Sequence, residues 1–235
     1  MTAIASPEQL EKIGALAAKL VKSGERVGLG SGRAALAFVR ALGARVKAEG
    51  ISIIGVPTSL LTEKTARQAG IPLSTLEETD TLDITIDGAD EVDPQLNLIK
   101  GGGGNLSREK IVTGVSKKLV IVVGGEKIVD RLGTSFPVFV EAIEFARPVV
   151  VRKLKAMGAE VTQRMNKDGS VFLTDNLNPY FHAKFPAEVL SRDPAGIDAA
   201  IRRMPGVVET GLFIGIAEEV IVAHADGRVE HKRRK

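Results

Sequence analysis

DITIDGADEVDPQLNLIKGGGGNLSREK, residues 83–110, is the stretch around which the rest of the chain is arranged. Its first five residues alternate, apolar at Ile84 and Ile86, as a short buried strand does; Gly88 then forces a turn bracketed by Asp87 and Asp90. After the extended run LNLIK, Lys100 leads into Gly101, Gly102, Gly103 and Gly104, and NLSREKIVTGV reads as a helix capped by Asn105, with Glu109 in its first turns. Residues without side chains let the backbone approach a ligand, and a helix N-terminus behind them offers N–H groups and a dipole that suit an anion. Two acids, a cation, a candidate base and an anion cradle thus share one segment. Singly, each has an ordinary explanation: aspartates end strands, glycine runs make linkers, and Glu suits the first turn of a helix.

Upstream, Ser6-Pro7-Glu8 opens a helix by cap, first-turn proline and first-turn acid, and Leu10, Ile13, Leu16, Ala17 and Leu20 keep helical spacing towards Gly24. RVGLGSGRAALAFVRALG then runs from a strand through Gly28, Gly30 and Gly32 into a helix, an arrangement that binds phosphates through backbone N–H groups. A dinucleotide-binding loop is the competing reading, but G-L-G-S-G-R lacks the third glycine at the usual place and no acid ends the next strand. ISIIGVPTSLLTEKTARQAGIPL reads as strand, loop with Thr58 and Ser59, helix, and a short strand over 71–76.

KLVIVV supplies a further buried strand, so strands alternating with helices argue for a mostly parallel sheet with helices on both faces. Ligands of such sheets sit at the carboxyl ends of strands, where 30–33, 87–90 and 100–104 are all expected to fall. Lys127, in VVGGEKIVD, follows the last of these strands; alone it reads as a solvated surface lysine. From Phe136-Pro137 the texture changes. A helix RPVVVRKLKAMG, strand-like AEVTQRM and SVFLTDN, a helix DPAGIDAAIRRMPG and VVETGLFIGIA suggest a smaller α+β unit, and EEVIVAHADGRVEHK reads as a hairpin that returns to the first domain. The expected division is 1–136 plus 212–235 against 137–211.

At 235 residues with 44% hydrophobic and 4% aromatic residues, the chain can fill an aliphatic core. The absence of cysteine excludes a disulfide scaffold, a thiolate metal site and a Cys nucleophile, and fits a cytoplasmic protein. Net charge is only +3, and much of the basic balance lies in the terminal HKRRK, which reads as a solvated tail. With one Tyr there is no stacking platform for nucleic acid, and no apolar run reaches the ~18–20 residues of a membrane helix. His182, His224 and His231 lack ligand spacing and read as structural or surface residues, leaving no metal site.

DGADE followed by LIKGGGG and REK resembles the signature of the type A ribose-5-phosphate isomerases, and the likeness runs from VGLGSG to PGVVETGLF. The resemblance implies a Rossmann-like, mostly parallel α/β domain interrupted by a smaller α+β, ferredoxin-like domain that serves as lid and in subunit contacts. It implies a homodimer or homotetramer in the pentose phosphate pathway, acting on ribose 5-phosphate and ribulose 5-phosphate through an enediolate, with no metal or nicotinamide cofactor. Glu109 would shuttle the proton between neighbouring carbons, and Lys100 would stabilise the oxyanion. Asp87 and Asp90 would accept from sugar hydroxyls and assist ring opening. Gly88, Ala89, Gly101, Gly102 and Gly103 would line the sugar; Gly30, Ser31, Gly32, Arg33 and Ala34 would hold the phosphate, with Lys127 completing the charge.

The chain departs from the family in places. GTGST is usual where this chain has Gly30-Ser31-Gly32-Arg33-Ala34, so a Ser-Thr pair becomes Arg33-Ala34, and Arg33 either offers a bidentate grip instead or points to solvent and leaves a weaker site. Asn105 stands where Ala is common, Gly124 where Asp is frequent, and TDNLNPYFHAKF where TDNGN and an apolar run with Asp are usual. Two alternatives remain: a divergent isomerase of another sugar phosphate, and a non-catalytic sugar-phosphate sensor. Against the sensor, no helix-turn-helix is readable before the fold, and both base and cation are present.

Overall fold

A computed structural model describes residues 5–234. In chain order it contains α1 (Pro7–Ala18), β1 (Arg26–Leu29), α2 (Gly32–Glu49), β2 (Ile54–Pro57), α3 (Leu60–Ala69), β3 (Ile84–Asp87), β4 (Glu91–Val92), β5 (Leu98–Ile99), α4 (Leu106–Gly114) and β6 (Leu119–Gly124). There follow β7 (Val138–Ala142), α5 (Arg147–Ala156), β8 (Glu160–Gln163), β9 (Tyr180–Lys184), α6 (Ala187–Arg192), α7 (Pro194–Arg202), β10 (Val207–Thr210), β11 (Leu212–Phe213), β12 (Glu219–Ala223) and β13 (Val229–Arg233). The chain forms two compact units. One takes the segment up to Ala89, Arg108–Ile128 and Ile216 onward; the other takes Asp90–Ser107 and Val129–Gly215. Segments 90–107, 129–136 and 212–215 therefore pack with the second unit, whereas a reading along the chain puts them in the first.

The first unit is a six-stranded sheet in the order β13-β12-β6-β3-β1-β2, parallel except for the edge strand β13. Period-two alternation assigns its faces. Val27, Leu29, Ile84, Ile86, Val120 and Val122 pack with Ile13 of α1 and Phe38 and Leu42 of α2 in one aliphatic core. Gly28 and Thr85 point the other way: a Cβ on Gly28 would lie 2.9 Å from Val112 of α4, so α4 covers the opposite face. Helices on both faces explain why β6 is buried at every position. At the start of α1 the expected cap is present as a capping box, Gln9 N–H donating to Ser6 Oγ at 3.2 Å and Ser6 N–H to the Gln9 side chain at 2.7 Å.

Two local expectations do not hold in this unit. Residues 71–76 form no strand, only a single parallel bridge from Gly55 to Leu73; Pro72 lacks an N–H and contributes just its carbonyl, to Gly55 N at 2.8 Å. HKRRK is not a free tail, because His231, Lys232 and Arg233 belong to β13, paired with β12; Lys235 lies outside the described residues. The expected hairpin itself is present. Basic side chains on an edge strand also discourage pairing with another chain.

From Val138 the second unit runs β7-α5-β8-β9-α6-α7-β10, and its four-stranded sheet has the order β10-β7-β9-β8, antiparallel throughout. Fourth, first, third, second is the ferredoxin-like arrangement. Its core takes Val150 and Leu154 from α5, Ile201 from α7, and Phe181 and Val140 from the sheet. The expected strand over SVFLTDN reduces to two isolated bridges, Met165 to Val171 and Leu173 to Pro179. A second, three-stranded antiparallel sheet, β11-β5-β4, belongs to this unit. Among the described residues no helix is long and apolar enough to cross a membrane.

Candidate active site

The five parallel strands of the first unit run β2-β1-β3-β6-β12, so the direction of chain progression reverses between β1 and β3. Loops at the carboxyl ends of the two strands flanking such a switch point make a ligand crevice. The loop after β1 carries Gly30 and Ser31; β3 ends at Asp87, with Gly88 next. Asp87 is fully buried, and its Oδ1 accepts N–H bonds from Ser31 at 2.9 Å and from Gly88 at 2.7 Å. A Cβ on Gly30 would stand 2.3 Å from that oxygen, which is why this position has no side chain. Gly32, at φ +85°, turns the chain into α2.

Ser31 occupies the N-cap position of α2 but its side chain does not cap the helix. Its Oγ lies 2.7 Å from Thr58 Oγ1 and donates to Ser59 Oγ at 2.9 Å, in a buried hydroxyl cluster completed by Thr62. Arg33 is exposed and Ala34 half-buried in the first turn of α2. Lys127 is half-buried in the short 3₁₀ turn Gly125–Lys127, directly after β6, the other neighbour of β3. Glu109 stands in the first turn of α4 and is only 4% exposed, an unusual setting for a carboxylate.

In the second unit, Lys100 follows β5 and is 2% exposed, with Nζ 5.4 Å from the centre of the Phe213 ring. Its strand belongs to the small antiparallel sheet, so 100–104 does not follow a strand of the parallel sheet, contrary to expectation. The glycine run is no linker. Gly101 O accepts from the hydroxyl of Tyr180 at 2.5 Å, Gly102 O from Arg164 at 3.1 Å, and Gly102 N donates to Asp90 Oδ2 at 2.7 Å. A Cβ on Gly101 would meet Tyr180 Oη at 2.4 Å, on Gly102 Asp90 Oδ1 at 2.7 Å, and on Gly104 the Phe172 ring at 2.5 Å. Gly103, exposed, has only the Asn105 side-chain nitrogen near its Cβ position, at 3.3 Å.

Tyr180, Arg164 and Phe172 escape a reading along the chain, although a lone buried Tyr is a signal that can be followed. Glu141 also escapes it: buried on β7, it accepts from Ser107 Oγ at 2.6 Å, Thr174 Oγ1 at 2.9 Å and Asn178 Nδ2 at 2.8 Å, so it fastens the TDNLN turn. His182 stands edge-on to Phe139 at 5.2 Å, and burial, then the charge of Arg164, hold its pKa below the usual value. His224 pairs with Glu230 and His231 with Glu219, each at 2.9 Å, in keeping with structural roles.

Asp87, Gly88, Ala89, Glu109, Lys127 and the first loop thus belong to one unit, and Asp90, Lys100 and the glycine run to the other. A doubly wound α/β unit with a helix N-terminus at its switch point, in a chain that also carries a buried Lys and a buried Glu, places the protein in the class of α/β folds whose switch-point loops form ligand crevices. Comparison with known proteins makes this specific: residues 54–227 match the model of the ribose 5-phosphate isomerase A (phosphoriboisomerase A) family, and the chain belongs to that family.

A ribose-5-phosphate isomerase A from Desulfatibacillum aliphaticivorans is 48% identical over 219 residues, 92% of this chain and 93% of that one. Another, from Parvibaculum lavamentivorans, is 46% identical over 217 residues, 90% of this chain and 92% of its own. Among solved structures, ribose 5-phosphate isomerase A from Methanocaldococcus jannaschii superposes with a TM-score of 0.91 at 39% identity, over 97% of this chain and 100% of that one. A D-ribose-5-phosphate isomerase in complex with phospho-erythronic acid gives 0.92 at 36% identity, over 98% and 100%.

Proposed function

We propose that the protein interconverts D-ribose 5-phosphate and D-ribulose 5-phosphate through an enediolate, with Glu109 as the base. What carries this reading is the buried Glu109 in the first turn of α4, in a chain of this family. Glu109 takes the proton from C2 of the open-chain aldose; the electron pair forms the C1–C2 double bond as charge moves onto the C1 oxygen. The hydroxyl proton on the C2 oxygen passes to the C1 oxygen, and the same carboxyl returns its own proton to C1, leaving a hydroxyl on C1 and the ketone at C2. One base serves both transfers, and no redox partner enters the balance. Lys100, an ammonium withdrawn from water, stabilises the charge that develops on oxygen.

Asp87 spends Oδ1 on two backbone N–H groups and holds the first loop; Asp90 receives sugar hydroxyls and assists ring opening. Gly88, Ala89 and Gly101 to Gly103 line the sugar. The phosphate takes the N-terminal turn of α2 at Gly32, Arg33 and Ala34, with the Arg33 guanidinium and Lys127 adding charge. Holding the phosphate away from the reacting carbons converts binding energy into orientation. The relative bound to phospho-erythronic acid supports a phosphorylated sugar as ligand. Arg33-Ala34 in place of a Ser-Thr pair favours, as a second reading, a different sugar phosphate, which a substrate panel separates from the first. We assign the protein to the cytoplasm and to a homodimer or homotetramer, the latter measurable by light scattering.

The test is conversion of ribose 5-phosphate by the purified protein without added metal or cofactor, followed by NMR in deuterated water, beside Glu109→Gln. Wild-type turnover with solvent deuterium entering the product, and a kcat lowered by ~10²–10⁴ in the variant, is the expected outcome. A wild type that binds the sugar phosphate and leaves it unchanged overturns the reading.

A further inference from the structure

The turn after β1 is held from behind. Leu29 O accepts from Thr58 N at 2.9 Å and from Thr58 Oγ1 at 3.0 Å; Gly30 O accepts from Thr62 Oγ1 at 2.9 Å; Ser31 N donates to Asp87. With Gly30 N donating to Ile86 O at 3.0 Å, four consecutive backbone groups of the turn, Leu29 O, Gly30 N, Gly30 O and Ser31 N, each have a partner. Ser59 in turn caps α3, accepting from Thr62 N at 3.1 Å while its hydroxyl donates to Thr62 Oγ1 at 2.9 Å. Thr58, Ser59 and Thr62 are at most 3% exposed.

A hydroxyl has one proton to give. Ser59 donates to Thr62 and Thr62 to Gly30 O, while Ser31 Oγ lies 2.7 Å from Thr58 Oγ1, where either hydroxyl can be the donor, and directs its own proton into the cluster, to Ser59 at 2.9 Å or to Thr58. What Ser31 has left is lone pairs, and a phosphate oxygen needs a donor. We propose that Thr58, Ser59 and Thr62 are positioning residues that hold turn 29–31 in its anion-binding shape, and that the Ser31 hydroxyl acts inward on this cluster, not on the phosphate. The phosphate then depends on the amides that open α2 and on the Arg33 side chain, and their preorganisation is what the cluster supplies. This rests on the isomerase reading for the identity of the phosphate ligand, but not for the anion site itself.

Thr62→Val keeps the shape and removes the proton given to Gly30 O. It is expected to raise both KM for ribose 5-phosphate and the Kd of inorganic phosphate, measured by calorimetry, about tenfold, as loss of one buried hydrogen bond implies, with kcat within about threefold. Thr62→Ser restores both. In a double-mutant cycle, Ser31→Ala added to Thr62→Val changes the phosphate Kd less than about twofold beyond Thr62→Val alone, because both act through one cluster. Independent, multiplying effects of the two substitutions overturn the proposal, as does an unchanged Kd in Thr62→Val. Thr58→Val, which removes the proton given to Leu29 O, serves in the same cycle should Thr62→Val fail to fold. The phosphate Kd is read without turnover, so an inactive wild type that still shows this pattern refutes the isomerase reading and leaves the cluster's role standing.

Discussion

Glu219→Gln tests how the C-terminal strand is fastened. Glu219 is 3% exposed at the start of β12, with Lys118 Nζ at 3.0 Å, His231 Nδ1 at 2.9 Å and Arg233 Nη2 at 3.4 Å. Burial alone would raise its pKa; hydrogen bonds from His231 and Lys118 and the charges of Lys118 and Arg233 outweigh burial and bring it to about 2. Set against an ordinary 4.5, that difference corresponds to ~3 kcal/mol at ~1.4 kcal/mol per tenfold. The three partners are 36%, 44% and 73% exposed, so solvent screening reduces the net to about 1–2 kcal/mol.

The depressed carboxyl binds fewer protons in the folded than in the unfolded chain between pH 4.5 and about 2. Its contribution is therefore complete above pH 4.5 and is lost as pH falls towards 2. Denaturant unfolding at pH 7, 4.5 and 3 should show Glu219→Gln less stable than wild type by about 1–2 kcal/mol at pH 7, or ~2–8 °C in Tm, with the gap closing on acidification. A gap that stays constant from pH 7 to 3 would refute the electrostatic account, leaving only a packing loss.

Two other substitutions probe the proposed oxyanion cation and a strained backbone position. Lys100→Met keeps most of the buried volume and removes the ammonium; kcat on ribose 5-phosphate should drop by ~10²–10³, and a kcat within threefold of wild type would remove Lys100 from the mechanism. Leu177, 77% exposed and at φ +62°, holds a left-handed conformation that costs an L side chain ~1–2 kcal/mol, so Leu177→Asn should raise stability by about 0.5–1 kcal/mol in denaturant unfolding. A loss of stability would show that the Leu177 side chain contributes packing that its exposure conceals.

Much of the fold was readable along the chain because its signals are local. The alternation of Ile84 and Ile86, the apolar run of β6, the Ser6 cap with Pro7 and Glu8, and the Asp193-Pro194 start of α7 each describe a few neighbouring residues, and each element formed where expected. Candidate chemistry was likewise visible: DGAD, the lysine before four glycines and the glutamate behind them lie within one short segment. What failed was local pattern without a partner. Residues 71–76 have strand composition, but beside Pro72 only one bridge can close, and SVFLTDN yields to the turn that Glu141 gathers.

Tertiary structure alone decided which donor meets which acceptor. No spacing rule brings Ser31 to Thr58 and Thr62, Tyr180 to Gly101, or Glu141 to Ser107 and Asn178, because these pairs are separated by tens of residues and meet only once sheets set their register. The same holds for the unit boundaries, which follow packing and place 90–107 with residues far downstream. The sequence by itself determined the types and order of the principal elements and the residues able to do acid–base chemistry, since backbone propensity and side-chain identity are local properties. Whether a serine hydroxyl faces a ligand or a buried cluster, and whether a glycine is a hinge or a space filled by a neighbour, are properties of surroundings that only the folded chain supplies.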